Sequence, residues 1–168
     1  MKKLIIFDLD GTVADTSEGL LNTHRHTIRE MGLQEPDEAD MKPLLSSGLF
    51  RTYNVIMGLS EEETRRAITI YRKHYGETGL AMSRVYDGME KLLADCRKKG
   101  LRLAVATMKN QVLARKLTEI LGIDSLFDAV WGMDAGDSMT KADIIGMCCT
   151  LAGISKEEAV MVGDSTVD

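Results

Sequence analysis

The chain has 168 residues and a formal net charge of −5, and 44% of its residues are hydrophobic and 28% charged. The length predicts one domain, or one domain with a modest insertion, and the composition is that of a soluble globular protein. The acidic balance argues against a nucleic-acid partner, because proteins that bind nucleic acid usually carry a basic surplus. Small anionic substrates remain compatible with it, since a local site can be positive on an acidic protein.

The cysteines and the N-terminus favour a cytoplasmic protein without a membrane partner. Cys96, Cys148 and Cys149 have no metal-ligand spacing, and the adjacent pair lies in an apolar run, which favours buried free thiols. An odd number of cysteines without a secretory signal predicts a reducing cytoplasm. The first apolar run is interrupted at Asp8, which makes it too short for a signal peptide or a membrane span.

The first predicted strand is a continuous apolar run at residues 4–7. Residues 15–81, by contrast, hold no convincing buried strand. Within them, periodicity predicts a helix over residues 18–31, and a capping box that begins at Ser60 predicts another through about residue 74. We therefore interpret residues 15–81 as a helical subdomain inserted after the first strand.

Strands and helices alternate in the rest of the chain. The predicted elements are a helix at 87–100 opened by capping-box chemistry, a strand at 101–107, a helix at 111–121, a short strand at 129–131, a helix at 140–151 and a strand at 159–162. This alternation predicts right-handed βαβ units and a mostly parallel sheet. In such a sheet the chemistry lies at the carboxyl ends of the strands.

The strongest candidate for chemistry is the segment Asp8-Leu9-Asp10-Gly11-Thr12, directly after the first strand. Two carboxylates at a strand end converge on one site if the backbone turns there, and Gly11 permits that turn. One carboxylate can attack phosphorus and form an acyl phosphate, while the second protonates the leaving alcohol and then activates water. Taken alone, the motif fits a loop with helix-capping aspartates equally well.

A second group of acids follows the last predicted strand, at Asp164 and Asp168. Together with Asp8, they would place several negative charges within reach of one another. Like charges this close require a cation or raised pKa values. Ligands that are all oxygen favour Mg²⁺, which also neutralises a phosphoryl group.

The third candidate group is cationic and polar. Thr107 ends a predicted strand and is followed by Met108, Lys109 and Asn110, and a hydroxyl there can donate to a phosphate oxygen. Lys141 begins a helix, where the macrodipole makes a positive charge mildly unfavourable. Its presence there indicates a nearby anion, although Lys141 taken alone fits an ordinary surface lysine better.

These motifs in this order resemble the haloacid dehalogenase-like (HAD) phosphatases, specifically the phosphoglycolate-phosphatase-like branch with a helical cap of the C1 type. The resemblance covers essentially the whole chain and rests on four segments, IIFDLDGTVADTSEG, VATMKN, TKADII and MVGDSTVD. It implies an α/β fold: a Rossmann-like three-layer core with a mostly parallel sheet, formed by residues 1–14 and 82–168. The cap would be residues 15–81.

The resemblance also implies an Mg²⁺-dependent hydrolase of small phosphate monoesters that forms an aspartyl phosphate. Asp8 would be the nucleophile and Asp10 the general acid and base. The metal would be held by Asp8, the backbone carbonyl of Asp10 and Asp164, with support from Asp168.

Further roles follow from the same resemblance. Thr107 would bind the transferring phosphoryl group, and Lys141 would balance charge on the nucleophile and the phosphate. Arg51, in the cap, would bind the carboxylate or second phosphate of a substrate, although it equally fits an exposed helix arginine. The remaining candidates for substrate binding are Gly11, Thr12, Met108 and Lys109. The substrate class is a small phosphorylated metabolite, either phosphoglycolate-like or a nucleotide or sugar phosphate.

Two alternatives stay open. A phosphomutase similar to β-phosphoglucomutase would keep the same motifs and return the phosphoryl group to a sugar. The second alternative is a binding protein with an inactive, truncated site, because relatives continue past Asp168 through a further strand and helix. We expect the strand at 159–162 to lie beside the first strand with its other edge bare, which predicts weak or absent activity and pairing of two copies through that edge.

Overall fold

A computed structural model describes residues 1–45, 47–136, 138–166 and 168. The chain forms two compact units, one of residues 1–15 with 83–168 and one of residues 16–82. Each division lies one residue after the boundary predicted from the sequence.

The regular elements are numbered in chain order. The strands are β1 (Leu4–Phe7), β2 (Ala14–Asp15), β3 (Arg84–Val85), β4 (Arg102–Asn110), β5 (Ala129–Met133) and β6 (Ala159–Val162). The α-helices are α1 (Ser17–Glu30), α2 (Glu38–Met41), α3 (Glu61–Glu77), α4 (Met89–Lys98), α5 (Gln111–Ile120) and α6 (Lys141–Ala152). Residues Arg51–Ile56 form a π-helical segment. Of the helices in the described ranges, none combines the length and the apolar character needed to cross a lipid bilayer.

Four strands form one parallel sheet in the order β5-β4-β1-β6. The predicted fold class, an α/β core with a mostly parallel sheet and flanking helices, is confirmed. The strand predicted at 159–162 pairs with β1 as expected, from Leu4 opposite Ala159 to Phe7 opposite Val162. The carboxyl ends of β1, β4 and β6 therefore lie side by side, which is where this class of sheet carries its chemistry.

The small antiparallel pair of β2 and β3 was not predicted. Ala14 lies opposite Val85 and Asp15 opposite Arg84, and the last two side chains form an ion pair at 2.9 Å. Two residues are too few to produce a periodic pattern in the sequence, so only the folded chain reveals the pairing.

The core beneath the sheet contains apolar side chains from β1, β4 and α6. Its buried members include Leu4, Ile6, Ala106, Ile144 and Cys148. Residues on both faces of the sheet are buried, which explains why these strands read as continuous apolar runs.

The three cysteines are free and buried, as predicted for the adjacent pair Cys148 and Cys149. Burial raises the pKa of the Cys148 thiol to about 12, so Cys148 stays protonated and serves as a small apolar side chain.

Two predicted helix starts have different outcomes. At α3 the capping box is present, because the Ser60 hydroxyl accepts from the Glu63 amide and the Glu63 carboxylate accepts from the Ser60 amide. At α4 the predicted capping box at residues 87–90 is wrong. Gly88 occupies the N-cap with φ of +81° and offers no side chain, so α4 begins without a side-chain cap.

Candidate active site

The site begins where β1 ends. The Asp8 amide donates to the Val162 carbonyl at 2.9 Å, so the pairing of β1 with β6 continues to Asp8 itself. The Asp8 carboxylate accepts from the Leu9 amide at 2.8 Å. A half-buried carboxylate is thus fixed at the sheet's carboxyl edge by its own backbone.

Gly11 forms the turn that follows. It has φ of +76°, a conformation that side chains with a Cβ rarely adopt. A Cβ placed there would lie 2.4 Å from Asp164 Oδ2, far inside van der Waals contact. The loop after β1 and the loop after β6 therefore lie so close here that a side chain at residue 11 would displace the Asp164 carboxylate. Next to it, the Thr12 hydroxyl lies 3.5 Å from Asp164 Oδ1.

Three acids predicted from the two strand ends meet in this place. Asp8, Asp164 and Asp168 each offer a carboxylate oxygen, and these oxygens lie within 4.8 Å of one another. The Asp168 carboxylate is held in turn by the Ser165 amide at 2.9 Å. An all-carboxylate set of this spacing suits a hard divalent cation such as Mg²⁺, which prefers oxygen ligands.

Lys141 supplies the positive charge opposite these acids. Its side chain is only 6% exposed, and its Nζ lies 3.1 Å from Asp8 Oδ1 and 2.5 Å from Asp168 Oδ1. The reading of Lys141 as an ordinary surface lysine is therefore wrong. It begins α6, where the capping box of Thr140 and Asp143 fixes the first turn of the helix. The carboxylates of Asp8 and Asp168 are the nearby anions that a lysine at the start of a helix indicated.

Burial has a larger effect on Asp8 than its partners have. Burial raises the pKa of the Asp8 carboxyl above its ordinary value, while the Lys141 ammonium and the Leu9 amide pull it down. The Asp168 carboxylate adds to the rise. A divalent cation beside Asp8 would favour its ionised form and so counter the effect of burial.

Asp10 lies in an ion pair that sequence reasoning did not anticipate. The Lys109 Nζ lies 3.0 Å from Asp10 Oδ2, with the lysine side chain 6% exposed. The other oxygen, Asp10 Oδ1, is buried and receives no hydrogen bond from any residue in the described ranges. The sequence assigned Lys109 to substrate binding, and its place just past a strand end is the only signal that brings it near Asp10.

Thr107 is buried at the end of the regular part of β4, where its hydroxyl accepts from the Lys109 amide at 3.2 Å. Met108, between them, is 45% exposed. Arg51 belongs to the other unit, where it is exposed and begins the π-helical segment.

Fold and site together define a parallel α/β protein with a carboxylate-rich centre at the carboxyl ends of its strands. The chain belongs to the haloacid dehalogenase-like hydrolase family, whose model matches residues 5–168. The resemblance noted in the sequence is thereby confirmed.

Individual proteins are similar to this chain along nearly its whole length. Tyrosine-protein kinase PtkA of Mycobacterium tuberculosis is 35% identical over 99% of this chain and 57% of its own length. A phosphoglycolate phosphatase of Rhodospirillum rubrum is 32% identical over 100% of this chain and 74% of its own. A haloacid dehalogenase-like hydrolase structure from Streptococcus pneumoniae superimposes with a TM-score of 0.89 at 27% identity, covering 99% of this chain and 78% of that one. The chain thus spans between about half and four fifths of the proteins it matches.

Proposed function

We propose that the chain is a Mg²⁺-dependent phosphatase of small phosphate monoesters that works through a phospho-aspartate on Asp8. The observation that carries this proposal is the meeting of Asp8, Asp164 and Asp168 around one point, with Lys141 buried against two of them. Such a centre favours a ligand that brings both a cation and an anion, as a magnesium-bound phosphate does.

The family supports a phosphoryl-transfer reaction. Both relatives named above, a phosphatase and a kinase, carry names that denote enzymes acting on phosphoryl groups. The phosphatase is the better guide, because this chain covers a larger share of it.

In the proposed reaction a carboxylate oxygen of Asp8 attacks the phosphorus of the ester. The new bond joins Asp8 to phosphorus, the bond to the alcohol oxygen breaks, and Asp10, which enters the step as the carboxylic acid, gives its proton to that oxygen and becomes a carboxylate. A water then attacks the phosphorus and passes a proton to Asp10, the bond to Asp8 breaks, and inorganic phosphate leaves. Thr107 and Lys141 would hold the phosphoryl oxygens through the hydroxyl and the ammonium group.

Asp8, Asp164 and Asp168 fit Mg²⁺ because they form an all-oxygen donor set. By the family resemblance, the carbonyl of Asp10 would join them. When bound there, Mg²⁺ would neutralise charge on the phosphoryl group and on the acids. Lys141 would then hold Asp8 and Asp168 in place while the charge at the centre changes.

The buried free thiols support the cytoplasm as the compartment in which the chain works.

We further propose that residues 16–82 form the cap, and that Arg51 binds the distal anion of the substrate. The change Arg51→Ala would then weaken turnover of phosphoglycolate and spare p-nitrophenyl phosphate, which has no charge at that end. Equal losses on both substrates would point to a structural role instead.

The direct test is phosphate release from a panel of small phosphate esters, with Mg²⁺ and with EDTA. We expect turnover that EDTA abolishes and that Asp8→Asn reduces by several orders of magnitude. The matched control is Asp124→Asn, an exposed aspartate of the same unit, which should keep wild-type activity. Ordinary turnover by Asp8→Asn would overturn the proposal, and so would turnover that is indifferent to EDTA.

A further inference from the structure

The two neighbouring strands β4 and β5 lose their common register beside the site. Ala104, Val105 and Ala106 pair with Ala129, Val130 and Trp131, and the next pair is Asn110 with Met133. From the pair at Ala106 to the pair at Asn110, β4 advances four residues while β5 advances two, so two extra residues bulge out of β4. The bulge is the segment 107–109.

The side chain of Gln111 occupies the gap in the pairing that the bulge leaves. Its Nε2 donates to the Val130 carbonyl at 3.0 Å, and its Oε1 accepts from the Gly132 amide at 2.6 Å. A carboxamide carries a donor and an acceptor, as a backbone peptide group does. The Gln111 side chain therefore stands in for the stretch of β4 backbone that would otherwise pair with β5.

Gly132 lets the two backbones approach each other at the same place. A Cβ on residue 132 would lie 2.3 Å from the Lys109 carbonyl oxygen and 3.1 Å from Gln111 Cα. Any other residue would push on the peptide of Lys109. The bulge is thus held in two ways: the Gln111 carboxamide bridges to β5, and the backbone at Gly132 packs closely against the Lys109 carbonyl.

This bulge carries Lys109, which contacts the proposed site residue Asp10, and it begins at Thr107. The Thr107 hydroxyl accepts from the Lys109 amide within the bulge, and the Lys109 ammonium lies 3.0 Å from Asp10 Oδ2. A change in the backbone path of the bulge would move both groups relative to Asp10.

We propose that Gln111 is a positioning residue, which through its bridge to β5 holds residues 107–109 so that Lys109 stays beside Asp10 and Thr107 keeps its hydrogen bond to the Lys109 amide. The role of Thr107 and Asp10 in catalysis rests on the function proposed above. The placement of the bulge by Gln111 does not, and hydrogen exchange measures it without substrate.

The structure supplies a matched control at the other end of the same strand pair. The Asp128 carboxylate accepts from the Leu103 amide at 2.8 Å, and the Asp128 amide donates to the Leu103 carbonyl at 2.7 Å. Asp128→Asn therefore weakens a side-chain bridge between β4 and its neighbour at the opposite end of the strand pair, and it also removes the ion pair of Asp128 with Arg97.

The experiment compares Gln111→Met, Gln111→Glu and Asp128→Asn by hydrogen–deuterium exchange and melting temperature. Gln111→Met keeps the length of the side chain and removes both hydrogen bonds, while Gln111→Glu keeps the shape and loses the donor to the Val130 carbonyl. We expect exchange at residues 107–110 to rise about ten-fold in both Gln111 variants, as loss of a net hydrogen bond predicts. Exchange there should stay at the wild-type rate in Asp128→Asn, even where the melting temperatures match.

Kinetics then link the bulge to catalysis. The rate constant kcat for phosphate release should fall about ten-fold in the Gln111 variants, because without the bridge Thr107 and Lys109 shift from their positions, and it should stay near wild type in Asp128→Asn. If exchange at 107–110 rises equally in Asp128→Asn, or does not rise in the Gln111 variants, the positioning role is overturned. If Gln111→Met does not fold, the isosteric Gln111→Glu decides. A wild-type protein that releases no phosphate would refute the proposed function, and the exchange data would still decide what Gln111 does.

Discussion

Lys141 places a positive charge in the protein interior, and it can do so because two carboxylates face it. A buried charge without a partner is strongly unfavourable, so Lys141, Asp8 and Asp168 depend on one another. The same three charges prepare the centre for an anion that arrives with a cation. A single lysine at the start of α6 thus serves both packing and the proposed chemistry.

Gly11 gives the sharpest test at the residue scale, because the chain offers a matched glycine. Gly11 and Gly100 share a φ of +76°, but a Cβ at Gly100 meets no atom within 4 Å, whereas one at Gly11 meets Asp164. Both Gly11→Ala and Gly100→Ala should lose about 1–2 kcal/mol of stability from the left-handed backbone. Only Gly11→Ala should also lose phosphate release, on the order of 100-fold, because it displaces a proposed metal ligand. Equal activity in the two variants would contradict the contact between the loops.

His24 makes the stability of the helical unit depend on pH. It is buried, its Nδ1 lies 3.0 Å from the Tyr53 hydroxyl, and burial lowers its pKa from 6.5 to about 4. Between these values the unfolded chain binds a proton at His24 that the folded chain does not. His24 therefore does not lower the free energy of unfolding above pH 6.5. As the pH falls from 6.5 toward 4, the free energy of unfolding decreases by up to about 1.4 kcal/mol per pH unit.

Denaturant unfolding followed from pH 7.5 to 4.5 measures this dependence. The variant His24→Gln should lose most of it, while His74→Gln, which changes a partly exposed histidine of the same unit, should keep most of it. An unchanged pH dependence in His24→Gln would assign the acid sensitivity to other groups.

At the scale of elements, the two capping boxes allow a comparison between a helix that carries a site residue and one that does not. Thr140 caps α6, which begins with Lys141, and Ser60 caps α3 in the other unit. Thr140→Ala and Ser60→Ala should each cost about 1 kcal/mol, as the loss of an N-cap does. Phosphate release should fall only in Thr140→Ala, since fraying of that first turn releases Lys141. A similar fall in Ser60→Ala would mean that stability alone controls activity.

The sequence was sufficient for elements with long, uniform patterns and insufficient for those that depend on tertiary contact. The apolar runs at 4–7 and 159–162 coincide with β1 and β6, because the apolar pattern of each run is continuous and β1 is buried within the sheet. The strand predicted at 101–107 continues to Asn110, since the pairing that supports its end comes from β5 across a bulge. No local pattern encodes a contact between residues so distant in the chain.

The same distinction applies to the site. Asp8, Asp164 and Lys141 were found because each stands at the end of a predicted strand or the start of a predicted helix. The pairing of Lys109 with Asp10 was not found, because it requires the path of the bulge. The bridge formed by Gln111 was missed for the same reason, as glutamine is an ordinary residue in the first turn of a helix.

At the scale of the whole molecule, the edge of the sheet at β6 is a candidate surface for pairing with another chain. The strand β6 pairs with β1, and none of the described residues pairs with its other side. Val162 at this edge is 38% exposed. Unpaired N–H and C=O groups on an apolar strand favour pairing with another chain, so we expect concentration-dependent dimers or larger species.

Size-exclusion chromatography with light scattering tests this expectation. Val162→Lys places a charge on the edge and should shift the population toward the monomer, as charged side chains on natural edge strands do. A wild-type chain that stays monomeric at high concentration would show that the edge does not drive association.

The most direct test of the central claim is to trap the covalent intermediate. The protein is mixed with Mg²⁺ and p-nitrophenyl phosphate, quenched in acid and digested, and the phosphorylated peptide is located by mass spectrometry. We predict one phosphoryl group on Asp8 in the wild-type chain and none in Asp8→Asn. Steady phosphate release with no phosphoryl group on Asp8, or with one on another residue, would contradict the account.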